Sequence, residues 1–393
     1  MRFKINSNSA YEWLVAVYIW VLFKPFFVWQ IPDIVLNILF ISLIIPTLKK
    51  PRSASTSFFI FTMLILYLIL SLRANFTVIY AQVVVLLPFT LFLISPKFAA
   101  SVFEKFATVF AILIIPSLLM YFLVIFLEIP IPSRTIMPLN IIKEGVYNQY
   151  PFLVTYQSSI GFVLPRFYGY FDEPGVVGTV CAVLLVTRKS LNHWASISIL
   201  IAGIFSTSMF FYAVVFITLL YRFPMKYKIA LLIIVVALGI ILYDNEFIGA
   251  FVIQRFSLTD DGTLAGMNRE LAHFTIWYEQ YFRHSENFLW GLGGGANLIH
   301  NLGGASYRDL IVQYGLIFFV AYMLAFSLFS LNQIGFNKNW IIYMMLFWGI
   351  IFQRPFITGL AYIVLFLFPI YVLSSRSKFN KEDSTEQIKV IDK

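Results

Sequence analysis

The chain has 393 residues, of which 60% are hydrophobic and only 12% are charged, and it carries a net charge of +9. A mean hydropathy of +0.84 is far above that of ordinary globular domains and excludes a soluble enzyme or a nucleic-acid-binding module. The composition instead predicts a polytopic membrane protein. Its one cysteine, Cys181, lies in an apolar run, so disulfides are not expected.

Apolar runs long enough to cross a bilayer recur along the chain and predict an all-α polytopic protein with about twelve transmembrane helices. The predicted spans are residues 10–29, 32–48, 56–72, 75–95, 106–128, 174–187, 193–207, 209–221, 229–243, 310–331, 340–353 and 356–374. Arg2 and Lys4 precede the first run without a small-residue cleavage site after it, so this run is interpreted as a signal anchor.

Two connections between these spans are much longer than the others, and long loops often carry function. The predicted organisation is an N-terminal bundle of five spans (1–128), a first large loop (129–173), central helices (174–243), a second large loop (244–309), C-terminal helices (310–374) and a polar tail (375–393).

The distribution of Lys and Arg predicts the orientation of the chain. With both termini and the tail in the cytoplasm, 18 of the 28 basic residues lie inside and 10 outside, and the outer group contains eight Arg and two Lys. Guanidinium groups bind phosphate oxygens in pairs, whereas topology signals use either cation equally well. Both large loops and a candidate anion site are therefore predicted on the outer face.

The first large loop ends in "RFYGYFDEPG", residues 166–175, which is rich in charged and aromatic residues. Asp172 or Glu173 followed by Pro174 is typical of a helix start, so the next helix should begin there. A carboxylate beside Arg166 has a second interpretation, since Glu173 could orient the arginine or act as a base.

The second large loop contains "MNRELAHFTIWYEQYF", residues 267–282. Phe274, Trp277 and Tyr281 recur at helical spacing, as do polar residues on the other side, which predicts an amphipathic helix at the membrane surface. The glycine-rich segment 290–306 follows, with one His-Asn pair. It is not a dinucleotide fingerprint because no strand precedes it, so flexibility or close backbone approach to a ligand is expected.

These motifs resemble those of a known family. "RFYGYFDEPGVVG" is similar to the Arg-x-x-Gly-x-Phe-x-Glu-Pro motif that ends the first large periplasmic loop of Wzy-type O-antigen polymerases, members of the O-antigen polymerase and ligase superfamily. "NRELAHFTIWYEQYF", "ENFLWGLGGG" and "SYRDLIVQYGLIFFVAYML" then follow in that superfamily's order. Two positions depart from the pattern: His300-Asn301 lies four residues earlier than expected, and "STSM" (206–209) replaces a Ser-Arg pair.

The resemblance implies a GT-C-like glycosyltransferase in the inner membrane, with its active site facing the periplasm. It would join undecaprenyl-pyrophosphate-linked oligosaccharide donor and acceptor units, with membrane lipid around it and a chain-length regulator and a flippase as further partners. No cofactor and no metal are expected, since the arginines could stabilise the leaving pyrophosphate. Asp260-Asp261 remains the alternative metal site, although "LTDDGT" also reads as a turn.

The expected roles divide the site residues into three groups. The pyrophosphate binders are Arg166, Arg255 and Arg269, followed by Arg134, Arg283 and Arg308; the base is His300, with Glu173 and His273 as alternatives; and the sugar-stacking rings are Phe167, Tyr168, Tyr170, Trp277, Tyr278 and Trp290. Each arginine could instead be an interfacial anchor, and the rings could form a membrane-interface belt.

Two other functions stay open at this point. A flippase or transporter for lipid-linked sugars usually places ionisable residues near the bilayer midplane, whereas residues 56–72, 75–95, 106–127, 229–243 and 340–353 contain no Asp, Glu or Lys. An O-antigen ligase, which transfers finished polymer to the lipid A core, is the alternative within the enzyme class.

Overall fold

The computed structural model describes most of the chain. The described residues are 7–49, 53–73, 85–137, 146–157, 166–188, 190–222, 224, 228–229, 233, 272–296 and 306–391. They fall into two compact units. Unit 1 comprises Met1–Ile19, Asp33–Lys105 and Arg269–Lys393, and unit 2 comprises Trp20–Pro32 and Phe106–Asn268.

Most of the described residues are helical. The α-helices are α1 (Ser7–Leu22), α2 (Asp33–Ile44), α3 (Ala54–Arg73), α4 (Pro96–Tyr121), α5 (Pro174–Thr187), α6 (Trp194–Phe205), α7 (Met209–Arg222), α8 (Ala272–Gln280), α9 (Asn287–Trp290), α10 (Tyr307–Ile334), α11 (Lys338–Gln353) and α12 (Leu360–Ile391). Helix α4 continues as a π-helical segment, Phe122–Phe126. The chain is therefore a predominantly helical protein, as its hydrophobic pattern predicts.

Within the described residues, three helices are long and apolar enough to cross a membrane: Ala54–Arg73, Pro96–Phe126 and Tyr307–Ile334. Shorter apolar helices accompany them: Ser9–Leu22, Asp33–Thr47, Pro174–Thr187, Trp194–Phe205, Met209–Tyr221 and Leu360–Arg376. These helices confirm the prediction of a predominantly helical chain, and their length and composition fit a membrane protein. The number of about twelve spans stays a prediction, and residues 75–84 and most of 229–243 lie outside the described ranges.

Two predicted spans have a different local structure. The apolar block 10–29 leaves the helix at Leu22, where Lys24 adopts a φ of 55° and Pro25 follows; residues Phe26–Val28 then form a 3-10 turn. Proline cannot continue the hydrogen-bond ladder, which explains the early end. In the block 75–95, residues Leu87–Leu93 form a 3-10 helix rather than an α-helix.

Unit 1 has a core of aromatic and aliphatic side chains between α3, α10, α11 and α12. The ring of Phe59 in α3 stacks on Phe329 in α10 with centroids 4.0 Å apart. Residues 360–374 of α12 are all buried, which is expected of a helix that is apolar on every side. Buried tyrosines tie this core to backbone carbonyls, as when the Tyr343 hydroxyl donates to Phe366 O at 2.9 Å.

Unit 2 packs α6 and α7 against α5. Every residue of α5, from Pro174 to Thr187, is buried. Gly178 permits this packing, because a Cβ there would lie 2.2 Å from Ser208 Cβ. At a rise of 1.5 Å per residue, α5 is only about 21 Å long, which is shorter than the roughly 30 Å hydrocarbon core of a bilayer.

The first large loop contains a three-stranded antiparallel sheet, so the prediction of an all-α chain was wrong in this segment. The strands are β1 (Arg134–Ile136), β2 (Tyr147–Tyr150) and β3 (Leu153–Tyr156), in the order β1-β2-β3. Strands β2 and β3 are joined at Pro151-Phe152, with proline suited to the turn. Tyr147 and Val154 pack against Trp29, so aromatic and β-branched packing stabilises strand rather than helix here.

Candidate functional site

The predicted site residues are divided between the two units. Unit 2 contains Arg134, Arg166, Phe167, Tyr168, Tyr170 and Glu173; unit 1 contains His273, Trp277, Tyr278, Arg283, Trp290 and Arg308. Arg255, Arg269, His300 and Asp260-Asp261 lie outside the described residues. The described part of the chain therefore presents two separate candidate clusters, each of which is built around arginine.

The segment 166–173 is anchored by backbone hydrogen bonds at several points. Phe167 N donates to Phe205 O at 2.9 Å, Val154 N donates to Gly169 O at 2.9 Å, and Phe26 N donates to Tyr170 O at 2.8 Å. Phe167 and Phe171 are completely buried. This segment, the knuckle, is thus a rigid element rather than a loose loop.

The knuckle leads directly into α5, as the sequence predicts. Glu173 is the N-cap residue by backbone geometry and Pro174 occupies the first turn, where its fixed φ and missing N–H are favourable. The carboxylate of Glu173 is not hydrogen-bonded to the first turn of this described helix. The predicted helix start at Asp172-Glu173-Pro174 is therefore confirmed, and Glu173 holds the N-cap position through its backbone and not through a side-chain cap.

Arg166 is held by the turn between α6 and α7. Its Nε donates to Thr207 Oγ1 at 2.7 Å and to Ser206 O at 3.1 Å, and its Nη2 donates to Ser206 O at 3.0 Å. Ser206 is fully buried, and Thr207 adopts a φ of 49°. The "STSM" segment, which departs from the family pattern, is thus the partner of Arg166.

Tyrosines and carboxylates surround the knuckle. The Tyr147 hydroxyl donates to Asp172 O at 2.9 Å. Burial raises the pKa of Tyr168 to about 12; Arg166 acts in the opposite direction, and the nearby Glu173 carboxylate adds to the increase. Burial also raises the pKa of Tyr147, reinforced by Asp172. Arg166 and Glu173 therefore both act electrostatically on Tyr168, and the predicted pairing of Glu173 with Arg166 stays a prediction.

The other predicted residues of unit 2 are arranged differently. Arg134 is exposed on β1, where its Nε donates to Gln149 Oε1 at 2.9 Å. Tyr170 is 5% exposed and stacks on Phe26 with centroids 5.9 Å apart. Its ring is a packing element in this structure, and so is that of the buried Phe167. Tyr168 is the half-buried ring of the knuckle, and its role in sugar stacking stays a prediction.

The second cluster lies in unit 1, where α8 meets the start of α10. Glu279 Oε1 accepts from Arg308 Nη2 at 2.8 Å, and Glu279 Oε2 accepts from Arg283 Nη1 at 3.0 Å. The guanidinium of Arg308 also lies over the ring of Tyr278, 5.0 Å from its centroid. Two predicted phosphate ligands thus converge on one carboxylate that sequence reasoning did not include.

Helix α8 confirms the predicted helix in the second large loop, with a shifted apolar face. Phe274 and Tyr278 of α8 pack with Phe282 of the following 3-10 turn in one buried cluster. Tyr281, which follows the end of α8 at Gln280, is 66% exposed. The predicted grouping of Tyr281 with the apolar residues was therefore wrong.

The predicted stacking rings of unit 1 also differ in accessibility. Tyr278 is 5% exposed and lies beneath Arg308, whereas Trp290 is 61% exposed. Trp277 stacks on Phe282 with centroids 5.2 Å apart, and His273 is exposed on α8. Trp290 is therefore the accessible ring among these predicted aromatic residues.

In the described part of the glycine-rich segment, the backbone packs closely against another part of the chain's own backbone. Gly291 and Gly315 cross so tightly that a Cβ on Gly315 would lie 2.2 Å from Leu289 O. Gly315 interrupts α10 with φ 88° and ψ 161°. Leu292 N and Gly293 N donate to the freed carbonyls of residues 312 and 313 at 2.7 and 2.8 Å. The observed close approach is to the chain's own backbone, and the expected approach to a ligand stays a prediction.

Arg73 stabilises the crossing of Gly291 and Gly315 by hydrogen bonds. It is not among the site residues predicted from the sequence. Its Nη2 donates to Gly291 O at 3.1 Å and its Nη1 to Tyr314 O at 3.4 Å, while Gly294 N donates to Arg73 O at 2.7 Å. Arg354, which the charge distribution predicts on the outer face, is 3% exposed and donates to the Tyr362 hydroxyl at 3.5 Å. Both arginines support the fold of unit 1.

No protein-family model, curated protein or solved structure matches this chain. Among the described residues, no group of three or more His, Cys, Asp or Glu side chains is arranged to hold a metal ion. The functional assignment therefore depends on the sequence motifs and on the two arginine clusters.

Proposed function

We propose that this protein is an O-antigen polymerase, a membrane glycosyltransferase that joins undecaprenyl-pyrophosphate-linked oligosaccharide repeat units at the periplasmic face of the inner membrane. The reaction transfers the growing glycan from its lipid pyrophosphate to a hydroxyl of the incoming unit. The leaving group is a lipid pyrophosphate, and it requires positive charge near the bond that breaks.

The observation that supports this proposal most directly is the placement of arginine where each large loop meets an apolar helix. Arg166 precedes α5 by eight residues and is fixed to the turn that follows α6. Arg308 lies in the first turn of α10, whose N-cap is Ser306. Helix N-termini favour anions, and guanidinium groups bind two phosphate oxygens at once. This pairing suits a lipid-linked pyrophosphate.

The proposed chemistry gives the clusters distinct roles. Arg166 binds the leaving pyrophosphate, and Arg308 with Arg283 provides another anion-binding point; the roles of Arg255 and Arg269, which lie outside the described residues, are proposed from the sequence motifs alone. His300 or Glu173 accepts the proton of the acceptor hydroxyl; the position of Glu173 beside the Arg166 environment supports the latter. The enzyme needs no metal, because the arginines carry the positive charge that a cation would otherwise supply.

The decisive experiment compares the lipopolysaccharide of a deletion strain with that of the complemented strain. Loss of a polymerase leaves a single repeat unit on the core, because ligation of one unit still occurs. Core without any repeat would instead indicate a ligase or a flippase and would overturn the proposal. Purified protein supplied with lipid-linked repeat units should lengthen them, which separates polymerisation from transport.

A further inference from the structure

The cluster of Glu279, Arg283 and Arg308 has the geometry of an anion site that already contains an anion. Each carboxylate oxygen of Glu279 is bound by a different arginine, Oε1 by Arg308 and Oε2 by Arg283. The two guanidinium groups come from separate elements, the 3-10 turn Phe282–His284 and the start of α10. A phosphate group also has more than one oxygen and can accept from two arginines through different oxygens.

A simple surface ion pair explains the contact between Glu279 and Arg283 but not the contact between Glu279 and Arg308. Glu279 and Arg283 are four residues apart and partly exposed, and such pairs are common and contribute little. Arg308 is 29 residues further along the chain, and its side chain is only 22% exposed. It is also positioned by the buried Tyr278 ring beneath it. Arg308 therefore has a contact with Tyr278 that does not depend on Glu279.

The exposure of the three side chains indicates which one can be exchanged. Glu279 is 38% exposed and Arg283 is 59% exposed, whereas Arg308 is the most enclosed of the three. Displacing a partly exposed carboxylate costs little, because water solvates it when it leaves. A dianionic ligand carries more charge than Glu279 and would compete with it for both arginines.

We propose that Glu279 is an exchangeable internal counter-ion that occupies a phosphate- or pyrophosphate-binding site formed by Arg283 and Arg308. An incoming phosphate group displaces the carboxylate, which swings into solvent, and no covalent bond forms or breaks in this step. Glu279 thereby lowers the affinity of the site for weak anions and sets a threshold that a more highly charged ligand overcomes. The inference rests on the proposed function only in naming pyrophosphate as the ligand.

The test measures binding of inorganic pyrophosphate to the full-length protein in nanodiscs of zwitterionic lipid, by isothermal titration calorimetry. Glu279→Gln keeps the side-chain shape and removes the charge, so it should lower the Kd by about 2- to 10-fold, the range expected when one or two partly exposed ion pairs no longer compete. Adding Arg308→Ala to this variant should abolish the increase in pyrophosphate affinity.

A matched control separates local competition from bulk charge. Glu286→Gln removes the same charge from another exposed glutamate of the same loop, seven residues away, and should leave the Kd unchanged. Equal tightening by Glu286→Gln would overturn the proposal, and so would an unchanged or higher Kd in Glu279→Gln. Should Glu279→Gln unfold, Glu279→Asp, which is one methylene shorter, replaces it and should also tighten binding.

This experiment is distinguishable from the test of the proposed function. If Glu279→Gln binds pyrophosphate more tightly but the wild-type protein does not polymerise, the anion site is supported and the polymerase function is rejected. Normal polymerisation by the wild-type protein with no effect of Glu279→Gln on pyrophosphate binding would retain the polymerase and reject the exchangeable counter-ion.

Discussion

Substitution of Gly315 by alanine should destabilise unit 1 more than the same substitution at another glycine with nearly identical backbone geometry. Gly315 has φ 88° and ψ 161°, a region that is accessible almost only to glycine. A Cβ there would lie 2.2 Å from Leu289 O and 2.5 Å from the carbonyl carbon of Trp290. These atoms belong to the backbone, so relief requires movement of the whole turn.

The magnitude has two parts. Backbone strain at such a position costs about 1–3 kcal/mol, and forced overpacking adds about 1–3 kcal/mol. Movement of the turn would also weaken the 2.7 and 2.8 Å hydrogen bonds from Leu292 and Gly293 to residues 312 and 313. Gly315→Ala should therefore lose about 2–6 kcal/mol, a large fraction of the roughly 5–15 kcal/mol that keeps a typical domain folded.

Gly335 provides a matched control. Its φ of 81° and ψ of 161° equal those of Gly315 within a few degrees, yet a Cβ there would meet only Asn337 Nδ2, at 3.7 Å. Gly335→Ala should show the strain without the clash. Unfolding of the purified variants in detergent, followed by tryptophan fluorescence, gives the difference. Equal stability of the two alanine variants would refute the close crossing of Gly291 and Gly315.

Three further predictions concern the knuckle, the topology and the metal. Arg166→Ala should lower polymerising activity about 100- to 1,000-fold and also reduce protein abundance, and Arg166→Lys should be impaired because it loses the planar fork; full-length polymer at normal abundance from both variants would contradict the proposed role. Impermeant thiol reagents should label cysteines placed at Asn148 and Asn287 from the periplasm but not one at Lys50, and the reverse pattern would invert the topology. Purified protein should polymerise lipid-linked repeats in excess EDTA, and activity lost on chelation and restored by magnesium or manganese would contradict the metal-free mechanism.

The expected cost to abundance of Arg166→Ala comes from the structure and not from the sequence. The arginine motif predicts that Arg166 binds phosphate. An exposed phosphate-binding side chain can be removed without loss of stability. In the structure its Nε and Nη2 bind Ser206 O and Thr207 Oγ1, and hydrogen bonds from a charged donor contribute about 1.5–3 kcal/mol each. The 40-residue separation between Arg166 and Ser206 leaves no periodic signal that could predict this contact.

Local signals predicted the helical parts of the candidate site well. Pro174 marked the start of α5 because its fixed φ and missing N–H suit the first turn of a helix. The spacing of Phe274 and Trp277 likewise predicted α8. In both cases the deciding interactions lie within one or two helical turns, so they can be read from neighbouring residues.

Contacts between distant segments could not be predicted in this way. Glu279 and Arg283 are an obvious pair at i,i+4, but the second partner, Arg308, is positioned by the fold of α8 against α10. The sheet is a different case: Tyr147 and Val154 have strand-forming side chains, yet strands of three or four residues give a weak pattern in a chain dominated by apolar helices.

The two arginine clusters keep their charges in place by different physical means. A guanidinium has five N–H donors, and Nε and Nη2 of Arg166, which face the Ser206–Thr207 turn, carry three of them. These carbonyl and hydroxyl acceptors orient the guanidinium before an anion binds, which is the preorganisation that stabilises a developing anion. Arg308 is paired with the Glu279 carboxylate, so displacement of Glu279 would expose its charge to a ligand. Loss of Arg166 should therefore affect folding together with catalysis, whereas loss of Glu279 should affect anion affinity while the fold remains intact.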